Sequence, residues 1–345
     1  MLWKRYFFKF KYFIRYNVAE WFWQFLSARI YNYRSHQYKE KFKSYGSNNK
    51  DLVFFVIRRR PPAWGFFSNV FYVAQGLIHA EENGYMPVVD MQNYWVAELS
   101  STKKINDTYN AWCYLFEPVS AYSLEEVYRS KNVVLSNGMS IMGNGHWLVD
   151  RSISFITNPE LLRKAGALLS DNVINNHHTT SHIDSIKKAL NWDPINTLGV
   201  FIRGTSYRTY HGSQAQVPTL DYFISSVRNI LDQTSLRSLY ISTEDYRIYK
   251  KLSVEFSDLE IIPSIRYEKN LTISEWERQQ KLTYDHAILL GYNGTLKYLT
   301  EIELLSECTN FVGTPSNASA YALAKSNLSQ GFKSVVLGNK QIFLS

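Results

Sequence analysis

Cysteine is scarce in this chain: Cys113 and Cys308 are the only two in 345 residues, far apart and with no cysteine or histidine at ligand spacing. That excludes a disulfide framework and a structural zinc site, and both are expected as buried thiols in a reducing compartment. Long apolar runs are missing too. The longest uncharged stretch near the amino terminus, Trp21 to Ala28, falls far short of the roughly 20 residues that span a bilayer. An apolar core free of charge and followed by small residues is absent, so no cleaved signal peptide is expected. There is no GxxxxGK[ST] loop and no Gly-x-Gly-x-x-Gly fingerprint, which argues against an NTPase, a kinase or a dehydrogenase. Nor does an Asp-x-Asp follow any expected strand, so no metal ligand set is indicated.

Excess charge is also absent from the body. The net charge is +8, yet residues 1–44 hold ten basic side chains against Glu20 and Glu40, which accounts for all of it. A nucleic-acid enzyme carries its basic stripe beside its chemistry, so nucleic acid is not an expected partner. The same 44 residues contain no Gly or Pro, and Trp3, Phe7, Phe10, Ile14, Val18, Trp21 and Phe25 recur at spacings of three and four. This predicts an amphipathic helical arm over residues 1–47, suited to an anionic membrane surface through residues 1–44. Pairing with a second helix remains the alternative.

Beyond Asn49, short apolar runs alternate with helical stretches. Leu52–Ile57, Met86–Val89 and Val133–Leu135 read as strands, with a helix from Asn69 to Asn83. A polar helical stretch, Pro159 to Leu190, leads to a boundary near Asp193-Pro194. Strands near Leu198–Ile202, Leu239–Ile241, Leu259–Ile262, Phe311–Val312 and Val335–Leu337 then alternate with four helices. The expected architecture is therefore α/β, with an amino-terminal domain over 48–195 and a carboxy-terminal domain over 196–345. Ligands of such parallel sheets bind beyond the carboxyl ends of the strands.

Three strand ends in the second half carry chemistry. Gly199-Val200-Phe201-Ile202 delivers Arg203, Thr205 and Ser206 into a loop, and a guanidinium there can fork onto a diphosphate. Glu244 and Asp245 follow the second strand, where either accepts hydrogen bonds from a base or ribose; capping the next helix is the competing role. Pro315, Ser316 and Asn317 open a helix whose free N–H groups and dipole favour an anion. Together they predict a nucleotide diphosphate site that needs no divalent metal, with Arg203 supplying the positive charge.

At these residues the chain resembles the superfamily of bacterial and animal α1,6-fucosyltransferases and protein O-fucosyltransferases. GVFIRGTSY, LYISTED and YLTEIELLSECTNFVGTPSNASAYALAK carry the likeness. It implies a GT-B-like enzyme, two Rossmann-like domains facing across a cleft, moving a sugar from a nucleotide-sugar donor, best GDP-fucose. By position it assigns the donor contacts to Arg203, Glu244, Asp245, Glu301 and Ser316, with Asn317 beside it. The loop Trp64-Gly65-Phe66-Phe67-Ser68-Asn69 resembles the family's glycine-rich loop, so Asn69 either reaches the donor or caps the helix that starts there. Two departures stand out: the α1,6 enzymes often read Arg-Arg-Thr-Asp, where this chain has Gly204 and Ser206.

Inverting transfer needs a base for the acceptor hydroxyl. His211, beside the arginine loop, has the ordinary pKa nearest neutrality; Asp90 and Glu117 are the alternatives. Trp112 and Trp147 are candidates for stacking on a sugar. A glycan or lipid-linked oligosaccharide acceptor of cell-surface polysaccharide or glycolipid, met at the cytoplasmic face of a bacterial membrane, fits the arm. The rival is a non-catalytic scaffold or sugar-recognition protein that keeps the fold.

Overall fold

The structure is a computed structural model, and it describes residues 40–60, 65–96, 99, 101, 103–138, 153–204, 217–268, 270–285 and 291–344. Of the arm expected over residues 1–47, residues 1–39 lie outside them. Lys41–Lys43, assigned to that arm from its helical stripe, is instead strand β1, with Phe42 opposite Val134. Pairing with an open sheet edge overrides the local period, since a Lys-Phe-Lys alternation suits a half-exposed strand equally well.

The chain forms two compact units. In the first, β2 (Asn48–Ile57), α1 (Phe66–Glu82), β3 (Met86–Val89) and β4 (Ser130–Leu135) make a sheet of order β1-β4-β2-β3, parallel except at β1. Helix α1 begins at Phe66, before the expected Asn69, because Gly65 at φ 82° supplies the turn that ends the preceding loop. It ends as expected, with Gly84 at φ 64° after Asn83. Phe54, Val56, Val88, Val133 and Leu135 close one face of this sheet.

The polar stretch after residue 158 is two helices, α2 (Pro159–Asn172) and α3 (His177–Leu190). Asn176 separates them, its side chain accepting from the Thr179 N–H as an N-cap. Both belong to the second unit, although they precede the expected boundary at residue 196. That unit continues with β5 (Thr197–Phe201), α4 (Leu220–Leu231), β6 (Ser238–Ser242), α5 (Tyr246–Glu255) and β7 (Glu260–Ile262). After α6 (Ile273–Asp285), which counts with the first unit from Ser274, come α7 (Gly291–Glu307), β8 (Asn310–Gly313), α8 (Asn317–Lys325), β9 (Lys333–Leu337) and β10 (Lys340–Phe343). The sheet order is β10-β9-β8-β5-β6-β7, parallel except for β10 against β9.

Glycine and a buried lysine fix the helices behind this sheet. A Cβ on Gly199, in the middle of β5, would sit 3.0 Å from Cys308 Sγ, so its absence lets the end of α7 close on the strand. A Cβ on Gly166 would lie 2.0 Å from the Ala324 carbonyl oxygen, which seats α2 directly on α8. Lys333 is buried and donates to the carbonyls of Cys308 at 2.5 Å and Thr309 at 2.6 Å, closing the end of α7. Burial pushes the Lys333 ammonium down to about 8 and the Cys308 thiol up to about 12. Both cysteines are free. Among the described residues no helix is long and apolar enough to cross a membrane.

Candidate functional site

Because β5 lies between β8 and β6, the loops that follow these three strands meet at one sheet edge. On the β8 side, the Thr314 N–H donates to the Phe201 carbonyl at 2.9 Å and its Oγ1 accepts from the Arg203 N–H at 2.9 Å. On the β6 side, Glu244 Oε1 accepts from the Gly204 N–H at 3.1 Å and lies 3.4 Å from Arg203 Nε. The side chains of Arg203 and Glu244 are 23% and 20% exposed, so the pair is sheltered yet open to solvent. Thr314 stands two residues ahead of Ser316 and thereby ties Arg203 to the opening of α8.

The two acids after β6 have separate places. Asp245 is buried and is the N-cap of α5, accepting from the Arg247 N–H at 3.0 Å and forking onto the Arg247 guanidinium at 3.0 and 2.8 Å. Glu244 faces Arg203. At α8, Ser316 is the N-cap of a reciprocal box with Ser319, whose Oγ also donates to the Thr314 carbonyl at 2.6 Å. Asn317 is exposed in the first turn.

Glu301 occupies a deeper layer. It is 1% exposed, and Oε2 accepts from Ser242 Oγ at 3.3 Å and from Arg266 through Nε at 3.0 Å and through Nη2. Burial pushes the Glu301 carboxyl up, and the Arg266 guanidinium beside it works the other way. Tyr298 lies under Arg266, with 5.1 Å from guanidinium carbon to ring centroid. The Tyr267 hydroxyl donates to the Thr243 carbonyl at 2.7 Å, and its ring packs 4.9 Å from Tyr246 and 5.3 Å from Tyr249. Glu301 thus supports β6 from beneath through Ser242.

Gly204 has no room for a side chain. A Cβ there would stand 2.5 Å from Asp245 Cβ and 3.1 Å from Ile248 Cδ1. The second arginine expected from the resemblance is therefore excluded by the acid that starts α5.

Of the other candidates, Thr205, His211, Trp64 and Trp147 lie outside the described residues. Asn69 is buried in the first turn of α1, its N–H donating to the Gly65 carbonyl at 3.1 Å, so it is not the cap of that helix. Asp90 is buried after β3. Its oxygens accept from the Gln92 and Asn93 N–H groups, the Asn93 side chain at 3.0 Å and the Tyr128 hydroxyl at 2.6 Å, which makes it a turn anchor. Trp112 is buried in a 3-10 turn, Ala111–Tyr114, and Glu117 is exposed. Thr314, Arg266 and Ser136 escaped sequence reasoning; the one local signal each offers is a polar side chain just beyond an apolar strand. Among the described residues, no group of three or more His, Cys, Asp or Glu side chains could hold a metal ion.

No protein-family model and no curated protein matches the sequence. Solved structures do. The NodZ α1,6-fucosyltransferase soaked with GDP-fucose aligns with a TM-score of 0.50 at 14% identity, over 85% of this chain and 99% of that one. The fucosyltransferase NodZ from Bradyrhizobium aligns at 0.47 and 15% identity over 85% and 99%. A variant of FUT1 from Arabidopsis thaliana in complex with GDP aligns at 0.46 and 9% over 86% and 73%. The first of these likenesses is one of fold, and it spans both units.

Proposed function

We propose that the chain is a glycosyltransferase that takes a sugar from a nucleotide diphosphate donor, with GDP-fucose the best candidate. A single observation carries the reading: an arginine at the carboxyl edge of a parallel sheet, its main-chain N–H held by Thr314 on one side and its guanidinium paired with Glu244 on the other, in a fold shared with a fucosyltransferase whose structure was obtained with GDP-fucose. Arg203 would meet the diphosphate, with Thr205 and the α8 opening at Ser316 and Asn317 beside it. The acceptor hydroxyl attacks the anomeric carbon, the carbon–oxygen bond to the diphosphate breaks on the opposite face, and the proton passes to a base, for which His211 is our candidate. Configuration is inverted. Arg203 and the helix opening offset the charge growing on the departing diphosphate, so no divalent metal is needed.

GDP at about a hundred times its dissociation constant should stabilise the protein by roughly 2.7 kcal/mol, read as a thermal shift absent with UDP. EDTA should leave both the shift and turnover unchanged. Loss of turnover with EDTA, restored by Mn²⁺, would overturn the metal-free mechanism, and GDP binding without any turnover would favour a sugar-recognition scaffold. We further propose that residues 1–44 hold the enzyme on an anionic membrane surface, the inner face of a bacterial cytoplasmic membrane, where a lipid-linked glycan acceptor is met. Pelleting with anionic vesicles should fall with salt and disappear when residues 1–39 are removed; a truncated protein that still pellets would refute this.

A further inference from the structure

In the resemblance described above, Glu244 belongs to a motif that contacts the nucleoside. The geometry points elsewhere: we propose that Glu244 is a positioning residue for Arg203, acting with Thr314 as the two halves of one brace. The inference rests on the glycosyltransferase reading, and it changes what the acid after β6 does.

One carboxylate oxygen, Oε1, serves both the Gly204 N–H at 3.1 Å and Arg203 Nε at 3.4 Å. The hydrogen bond holds the backbone of the loop, and the ion pair sets the carboxylate beside the inner nitrogen of the guanidinium. A fixed negative charge on the Nε side draws that side of the group toward Glu244, which restricts where the planar fork can point. From the other side, Thr314 Oγ1 takes the Arg203 N–H itself, while its own N–H holds the Phe201 carbonyl. Arg203 is therefore held at two of its own atoms, the main-chain N–H by Thr314 and Nε by its pairing with Glu244, and the same carboxylate also holds the N–H of the next residue, Gly204. Gly204 completes the device, because the missing Cβ lets the Glu244-Asp245 turn press against the loop, with 2.5 Å from the vacant Cβ position to Asp245 Cβ.

Asp245 is absorbed by the cap of α5 and by Arg247, so the two neighbouring acids divide the work: one starts a helix and the other aims a cation. A fixed donor of this kind spends little reorganisation at the moment of reaction, which is where electrostatic catalysis gains most.

The test compares GDP with GMP, which lacks the second phosphate. A reader of the nucleoside would weaken both alike; a brace for Arg203 would weaken GDP alone. Full-length Glu244→Ala is expected to lower GDP affinity about tenfold and kcat by more, with GMP affinity unchanged. Glu244→Gln, which keeps an acceptor for the Gly204 N–H while losing the charge toward Arg203, should fall between wild type and Glu244→Ala and guards against a folding defect. The pair Arg203→Lys and Glu244→Ala should be no worse together than Arg203→Lys alone. Equal losses for GDP and GMP, or fully additive effects of the two substitutions, would overturn the brace while leaving the enzyme reading intact. A wild type indifferent to GDP would overturn both.

Discussion

The two units share a clasp at the end of an inner strand, and they differ most in what the guanidinium meets. In the first, Ser136 gives its N–H to the Val56 carbonyl at 3.0 Å and takes the Arg58 N–H on its Oγ at 3.0 Å. In the second, Thr314 does the same with Phe201 and Arg203, at 2.9 and 2.9 Å. The spacing along each strand is identical: carbonyl of one residue, N–H of the residue two further on. Arg58 then folds inward. Its Nε donates to the Ser136 carbonyl at 2.8 Å, Nη1 to the Tyr94 hydroxyl at 3.0 Å, and the residue is buried. Arg203 instead faces a carboxylate and keeps solvent access. A hydroxyl clasp is thus a way of ending a strand, and in the second unit the arginine that it holds pairs with a carboxylate instead of folding inward.

The largest expected effects come from exchanging the two arginines for lysine, one at a time. Arg203→Lys should cut turnover about a hundredfold with little change in unfolding, because charge remains and only the fork is lost. Arg58→Lys should do the reverse. It should cost roughly 2–3 kcal/mol of stability by leaving buried acceptors unpaired, while the folded protein still shows the GDP shift. If Arg58→Lys abolished the GDP shift in protein that remains folded by circular dichroism, the contrast drawn between the two clasps would be wrong.

Removing the clasps themselves should have a smaller effect. Ser136→Ala and Thr314→Val should each cost about 1 kcal/mol in urea unfolding, and only the second should lower GDP affinity. A matching loss of affinity in both would show that the first unit's clasp also serves the donor.

The smallest effect belongs to Lys333, which marks the second unit in a pH series. Its folded-state pKa, about 8, lies below the ordinary value of 10.5. Above pH 8 the unfolded chain therefore binds more protons than the folded one, so stability rises with pH through this group. Cys308 acts the opposite way, its thiol moving from 9.0 to about 12, but only above pH 9. Between pH 8 and 9 wild type should gain roughly 1 kcal/mol relative to Lys333→Met. A flat difference across that interval would mean that Lys333 keeps its proton in the fold.

Periodicity made most of the second unit legible. Each of the five strands read there is present, with shifts of one or two residues, and helices fall between them as expected. Lys41–Lys43 and Lys340–Phe343 were not legible, since both are edge strands with few apolar residues, held by antiparallel pairing with a neighbour rather than by a continuous apolar run of their own. The site divides in the same way. Arg203, Glu244 and Ser316 show as polar residues after apolar strands, but the sharing of Oε1 between Gly204 and Arg203 is a cross-strand fact with no local trace. Arg266 was missed for the same reason: its partner Glu301 stands 35 positions away. Asp245 kept two roles open in the sequence, and its bond from the Arg247 N–H assigns it the cap.

The crowded position at Gly204 also bears on how this protein can change. An arginine introduced there meets Asp245 before it can reach any ligand, with 2.5 Å between the two Cβ positions. Displacing Asp245 removes the cap of α5 and its fork onto Arg247, and it disturbs the turn that carries Glu244. A side chain at position 204 therefore requires Asp245 to shift, so a two-arginine form of this loop calls for changes at positions 204 and 245 together.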